Sequence, residues 1–422
     1  MVTDKLSFTH QFTEELTKHS GKVFMPASEI GFALQYLEEK GIPNNKHEDY
    51  KYCNIEAILR KEFKIIAGIE HSVDANGLKN SYFIMGAYNL YVVNGKLIVG
   101  ASEIPAGITV SDIDKVPANT LRKYAKENVI NDALIALNIA YADRGVFLHI
   151  TKPIDKPVVI HYTNSSQGNL FFNTRNLLVI EKGTELQVTE FHHESNNKHF
   201  TNTLTDIILS ENAHCNHTII QNSGETSYVV NSTKVYQQRY SNYINSCFTF
   251  SGALVRNNLH TAIADEFCET RLFGLFIAKG TQLVDNHTFV DHLKPNCQSN
   301  ELYKGVAGGK STVVFNGQIF VERNAQKTNA YQSSKNILLS DDATVNAKPE
   351  LEIYANDVKC SHGTSTGKID ENALFYLKAR GIGKESARKL LLQAFAHEVI
   401  CQLKNETIKE IVTELFEQSV AD

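Results

Sequence analysis

The sequence predicts a mainly β protein, a β-solenoid core between a mixed helical N-terminal region and a helical C-terminal region. Three observations carry this reading. Helical spacing of apolar residues disappears from about residue 146 to about residue 365 and returns on both sides. Within that stretch a phrase recurs: an apolar run, a polar residue, a small residue, then an alternating strand. The small residue falls at Gly183, Ala213, Ser246, Gly280, Ser311 and Ala343, at spacings of 30, 33, 34, 31 and 32. Third, the repeats are rich in Thr, Val, Ile, Phe and Tyr and alternate with period two, as in Leu186/Val188, Leu283/Asp285/His287/Phe289 and Leu351/Ile353/Ala355. Helical repeats of similar length need two amphipathic helices per unit, which this pattern excludes. An irregular β-sandwich would show strands about every 8–12 residues without the longer beat. A solenoid stacks its coils, with a small residue where the chain bends. About six such coils are expected.

Residues 1–60 read as helical, with Leu6–Thr17 and Ala27–Lys40 spacing apolar residues at three and four. Gly41-Ile-Pro43 ends the second helix, because proline cannot continue it. Residues 80–112 look strand-rich, in Tyr82–Gly86 and Leu90–Val99, with Asn94-Gly95 as a hairpin signal. Residues 118–141 return to helical spacing through Leu121, Tyr124, Ala125, Val129, Ala133, Leu134 and Leu137. After the solenoid, Ile369–Arg380 reads as a helix with Asp370 as N-cap. Gly381-Ile-Gly383 breaks it, and helices follow from about Lys384 to Leu403 and from about Glu406 to Ser419. The expected units are therefore 1–145, 146–369 and 370–422, the last acting as a helical cap on the solenoid.

Composition excludes several function classes. The 422 residues carry 42 Lys+Arg against 47 Asp+Glu, a net charge of -5, so the basic excess of a nucleic-acid binder is absent. No apolar run approaches the roughly 18–20 residues of a membrane span. The N-terminus has no signal-peptide apolar stretch, so a cytoplasmic location is expected. Seven cysteines, at 53, 215, 247, 268, 297, 360 and 401, form no Cys-x-x-Cys pair. That argues against a disulfide framework and against a self-contained zinc or iron–sulfur site. There is no Trp, so 17 Tyr and 22 Phe must supply the aromatic packing.

Several motifs fail as sites. Gly308-Gly-Lys-Ser-Thr312 resembles the end of a P-loop, but position 304 is Lys where the motif needs Gly, and a strand follows instead of a helix. Ala379-Arg-Gly-Ile-Gly-Lys resembles a DNA-binding hairpin, yet reads equally as a helix C-cap followed by a helix start. His214 and His217 point apart on a strand, whereas Cys215 shares a face with His217 and Asp285 with His287. These residues, with Asp291, His292, Glu190, His192 and His193, read as polar rungs of the solenoid. The sharpest cluster is Asn356–Thr366, where Cys360 and His362 share a strand face and are donors suited to iron or zinc. Two ligands alone would hold a metal poorly.

That same stretch carries a resemblance. Ala347–Thr364, Asp370–Ile382, Ala387–Phe395 and the early Glu48-Asp-Tyr-Lys-Tyr52 strongly resemble the SufB/SufD family of iron–sulfur cluster assembly proteins. The likeness covers most of the chain, is densest from about 310 to 400, and is greatest to the SufD branch. It implies a right-handed parallel β-helix between helical regions. It also implies a non-enzymatic scaffold that pairs with SufB through the β-helix and carries one SufC, an ABC-type ATPase, on its C-terminal helices. Here that docking region is about Asp370–Leu415, with Leu374, Phe375, Tyr376, Arg380 and Gly381 as candidate contacts. An ungapped reading back from Phe375-Tyr376 puts Ala343 where SufB carries its cluster-associated cysteine. His362 and Cys360 match the SufD residues at the SufB interface, His362 being the favoured ligand. The resemblance thus implies no permanent cofactor, only transient iron or a cluster shared with SufB, and is compatible with a homodimer in isolation. Two other readings are a purely structural partner of SufB and a carbohydrate-binding or carbohydrate-processing solenoid, which would need a groove of aromatics and paired carboxylates.

Overall fold

A computed structural model describes residues 3–19, 23–63, 74–124, 131–164, 169–194 and 198–420. The first two helices are Thr3–His19 and Ala27–Lys40. Gly41, at φ 71°, closes the second by donating its N–H to the Leu37 carbonyl. Tyr82–Gly86 is not a strand. Asp74 accepts a hydrogen bond from the Asn76 N–H and starts a helix over Ala75–Tyr82, which consumes the beginning of that apolar run. The hairpin forms as its turn residues demand, with Tyr88–Val93 antiparallel to Lys96–Leu97 and both Asn94 and Gly95 at positive φ. Helices follow over Ala118–Tyr124 and Ala133–Tyr141. Ala125 and Val129 lie outside the described residues. Asp132 caps the second of these helices at the Leu134 and Ile135 amides, and all nine of its residues are buried.

Two large sheets face one another. The nine-stranded sheet runs in space from Thr344–Ile353 through Thr312–Val321, Leu283–His292, Leu254–Ile263, Tyr228–Gln237, His199–Leu209, Leu170–Ile180 and Val146–Ile150 to Ile108–Asp112. The ten-stranded sheet runs from Val358–Gly367 through Thr328–Leu338, Gln298–Ala307, Glu269–Ala278, Asn242–Ser251, His214–Asn222, Glu185–His192 and Val158–Thr163 to the hairpin strands Tyr88–Val93 and Lys96–Leu97. From Leu170 the chain places one strand in each sheet in turn. Every strand pairs in parallel with the strand one coil away, so the architecture is a parallel β-solenoid of about seven turns. Strands from before residue 146 join both sheets at its first end.

The register varies about the expected beat. Leu170 pairs with His199, Tyr228 with Leu254, and Thr312 with Thr344, which are offsets of 29, 26 and 32 residues. The small residues chosen from the sequence drift from one corner of the coil to the other. Gly183 and Ala213 sit where the chain passes from the nine- to the ten-stranded sheet, and Gly280, Ser311 and Ala343 sit at the opposite corner. Ser246 lies half a coil off, inside the strand Asn242–Ser251. The conformational beat is a left-handed residue at the first corner of six successive coils: Gly183, Asn212, Tyr240, Phe267, Asn296 and Lys327. Five of these six carry a side chain, so a search for small residues passes over them. At the opposite corner Gly309 is required for space as well, since a Cβ there would lie 2.8 Å from the Gly280 nitrogen.

Between the sheets lies a core containing Leu178, Ile207, Val235, Leu259, Val290 and Ile319. Some polar groups inside it are hydrogen-bonded, as burial favours, while others, among them Glu301 Oε1 and His292 Nδ1, have no hydrogen-bond partner. His217 bridges Glu190 and Tyr243 at 3.1 Å on each side. Burial pushes the Glu190 carboxyl up, but its contacts with His192 and His217 outweigh this and hold it near 2.

Helices cover both outer sheet faces. Phe12, Leu37, Leu134 and Leu137 pack with Phe171, Phe200 and Leu204 of the nine-stranded sheet. Leu392, Ala396, Val399 and Ile400, from the helix Lys384–Ile400, pack with Phe248, Phe273, Leu275 and Ile277 of the ten-stranded sheet. The expected cap is therefore a flank. The apolar stripe of the C-terminal helices finds its partner on the side of the solenoid, and the last coil is left open.

Candidate functional site

The solenoid ends with the strands Thr344–Ile353 and Val358–Gly367, each at the terminus of its sheet. Each pairs on one side only, through Thr312–Val321 and Thr328–Leu338 respectively. Most of both strands is exposed or half-buried. Pro349 lies within the first of them, a residue tolerated at a sheet edge. Ile353 and Tyr354 are exposed beside this edge. Open edges with apolar neighbours are a template for another chain.

Cys360 and His362 stand two residues apart on the last strand and share its inward-facing side. Cys360 pairs with Ala330 and packs against the solenoid core, and burial pushes its thiol up. His362 pairs with Gln332 and is exposed, because no further coil lies over it. The same column continues inward through Gln332 to the buried Glu301. A metal at this end would find one imidazole and one thiol from this chain. Among the described residues no three His, Cys, Asp or Glu side chains come together in a metal-binding group.

The other sequence candidates resolve as structure. His287 contacts Asp285 at 2.8 Å, and Asp285 in turn holds Arg256 at 2.5 Å. Cys215 and His217 are both buried, whereas His214 is only half-buried. Gly308–Ser311 forms a corner between two strands. Ala343 also lies at a corner, buried.

In the C-terminal helices the candidate contacts divide. Asp370 caps the helix Glu371–Ala379 at the Asn372 and Ala373 amides. Leu374 is buried, but Phe375 and Tyr376 are 72% and 57% exposed. The Arg380 guanidinium lies over the Tyr376 ring at 5.1 Å, and Gly381 follows at φ 88°. The next helix is firmly docked, with the Lys304 ammonium donating to the Phe395 carbonyl and pairing with Glu398. The short helix therefore presents an aromatic pair on a rigid base, where a monomer would hide it.

One cluster escaped the sequence reading. Tyr50, from the early Glu48–Tyr52 motif, donates to Asp132 at 2.5 Å, and the Arg256 guanidinium stacks 4.0 Å from its ring centre. Arg256 also donates to the Asp49 carbonyl at 2.7 Å. The motif thus pins the N-terminal region to the solenoid. Its contacts span 207 residues of sequence, so no local signal announces them.

Residues 161–395 match the core domain described as "SUF system FeS cluster assembly, SufBD core domain", and residues 5–160 match the "SufBD protein N-terminal region". The chain belongs to the SufBD family. Among SufBD proteins, it is 28% identical to the iron-sulfur cluster assembly protein SufD of Escherichia coli, over 96% of this chain and 93% of that protein. It is 27% identical to the chloroplastic protein ABCI7 of Arabidopsis thaliana, over 97% and 91%. A SufBD family protein of Synechocystis, slr0076, is 26% identical over 88% and 86%. The chain is therefore a SufD homologue of the SUF iron–sulfur assembly system. No described helix is long and apolar enough to cross a membrane.

Proposed function

We propose that this chain is the non-enzymatic, SufD-type scaffold of a cytoplasmic SufB–SufC–SufD complex. The observation that carries this reading is the open last coil, where two unpaired sheet edges surround an exposed His362 and a half-buried Cys360. A SufB solenoid docking there would cover the edges and supply the thiolate that this chain's two donors lack. The cluster is cargo in this scheme. It forms only in the assembled pair, and partial ligation leaves it easy to hand on. SufC docks on the exposed Phe375 and Tyr376, beside Arg380 and Gly381. Its ATPase cycle pulls on helices that are themselves packed against the ten-stranded sheet, and so reaches the SufB–SufD contact.

The test is purification of the complex from the native cell, with wild-type chain and with His362→Ala. SufB and SufC should co-purify with both, while iron and acid-labile sulfide fall several-fold in the variant. Normal cluster content in the variant would sink the role of His362 and leave a purely structural partner. Failure of SufB to co-purify would sink the complex itself.

A further inference from the structure

At the first corner of three successive coils, one small side chain stands directly before each strand of the ten-stranded sheet: Ser241, Cys268 and Cys297. Glu269 pairs with Gln298, and the Gln298 N–H donates to the Cys268 carbonyl at 3.0 Å. Cys268 and Cys297 are therefore neighbours on adjacent coils. Strand neighbours lie about 4.8 Å apart, inside the roughly 4.4–6.8 Å between Cα atoms that a disulfide spans. The two side chains also converge. Both sulfurs reach a single oxygen, the Asp265 carbonyl, at 3.3 Å from Cys268 and 3.2 Å from Cys297. The other strand cysteines have no such neighbour: Cys215 pairs with Leu186 and Tyr243, Cys247 with Ile219 and Gly274, and Cys360 with Ala330.

Both thiols are buried, but only by the corner itself. Phe267, beside Cys268, is exposed, and Pro295 and Asn296, beside Cys297, are half-buried. A small solute need only pass this one layer. The pair is also electronically unequal. Hydrogen bonds from the Cys297 thiol and from the Ser241 hydroxyl, whose oxygen is 3.6 Å away, pull the Cys268 thiol down to about 7 against the opposing effect of burial. The same contact pushes the Cys297 thiol up. A share of Cys268 is therefore thiolate near neutral pH, with the remaining proton on Cys297. A thiolate beside a second thiol is the arrangement that oxidises selectively.

We infer that Cys268 and Cys297 are an oxidisable pair, which hydrogen peroxide converts to a disulfide tying two neighbouring coils together. The Cys268 thiolate attacks the peroxide O–O bond. Its sulfur keeps one oxygen as a sulfenic acid, and the other oxygen leaves as hydroxide. This step removes the charge beside Cys297, whose thiol can then release its proton. The Cys297 sulfur attacks the sulfenic sulfur, the S–S bond forms, and the hydroxyl leaves as water with that proton. The two thiols lose two electrons and the peroxide gains them. The strands that leave this corner lie beneath the helix Lys384–Ile400. Phe273, Leu275 and Ile277 of the first pack against it, and Lys304 of the second donates to its Phe395 carbonyl. The cross-link would thus join the two strands on which the helical flank rests.

The test is peptide mass mapping, without reductant, of the reduced full-length chain after treatment with hydrogen peroxide. A Cys268–Cys297 cross-link that dithiothreitol reverses, with a higher melting temperature than the reduced chain, supports the site. In Cys297→Ser the cross-link is lost and dimedone captures Cys268 as a sulfenic acid. The exposed Cys401 is the internal control for the peroxide dose. Oxidation of Cys401 while Cys268 and Cys297 stay free, or a cross-link between other cysteines in their place, overturns the proposal. Mapping of the wild-type chain decides the outcome even where the variant does not fold. No arm involves His362, SufB or SufC, so its failure leaves the scaffold reading untouched.

Discussion

At the scale of single residues, position within the coil decides chemistry. His362 and Gln332 occupy the same column, yet Gln332 is buried and His362 is exposed, because only the former has a coil above it. Glu301 lies one coil deeper, accepting from Thr288 at 2.7 Å. Burial pushes its carboxyl up to about 7, with the Thr288 and Gln332 contacts opposing only part of that rise. The sign follows from proton uptake. The folded chain keeps a proton that the unfolded chain, with its ordinary value of 4.5, releases as pH rises. Stability therefore falls as pH climbs from about 4.5 to about 7, by about 3 kcal/mol in total. Glu301→Gln should remove that slope and raise the urea midpoint at pH 8. A variant with the wild-type slope would show that Glu301 is ionised in the fold. The pairing of Cys360 with His362 was legible from their spacing, since alternation on a strand is local. The Tyr50–Arg256–Asp285 network was not, because its members meet only after the N-terminal region folds back on the coils.

At the scale of elements, local capping chemistry was read well and packing partners were not. Ala27–Lys40, the Asn94-Gly95 hairpin and the Asp370 cap form where turn and cap residues place them. Tyr82–Gly86 was misread because an apolar run looks alike in a short strand and at a helix end. The small-residue beat drifted between corners because the first corners tolerate Tyr240, Phe267 and Lys327 at positive φ, stacking Tyr240 on Phe267 at 5.2 Å. Neighbouring coils hold these corners in place, so glycine is not obligatory there. The helix Lys384–Ile400 is held by its apolar stripe. Leu392→Ala, at a side chain 1% exposed, should cost about 2–5 kcal/mol in urea denaturation. A loss below about 1 kcal/mol would mean that this helix is not docked on the sheet in solution.

At the scale of the whole molecule, a solenoid with helices on its flanks has one end closed by the N-terminal strands and hairpin and one end open. The open end is the feature that calls for a partner. The chain alone should therefore self-associate through it, as a concentration-dependent dimer in analytical ultracentrifugation. Ile353→Asp with Tyr354→Asp, at side chains already exposed, should make it monomeric without lowering its melting temperature. Unchanged association in that double variant would place the contact elsewhere. What the sequence by itself determined was the class of each segment: period-two strands in the middle, helices at both ends, and a thiol and an imidazole on one strand face. These follow from interactions between residues a few positions apart. Only the tertiary structure decided which corner each repeat turns, that the C-terminal helices lie along the side of the solenoid, and that His362 is therefore left uncovered. Those outcomes depend on how apolar faces from distant segments find one another, and burial by distant segments leaves no mark in the local order of residues.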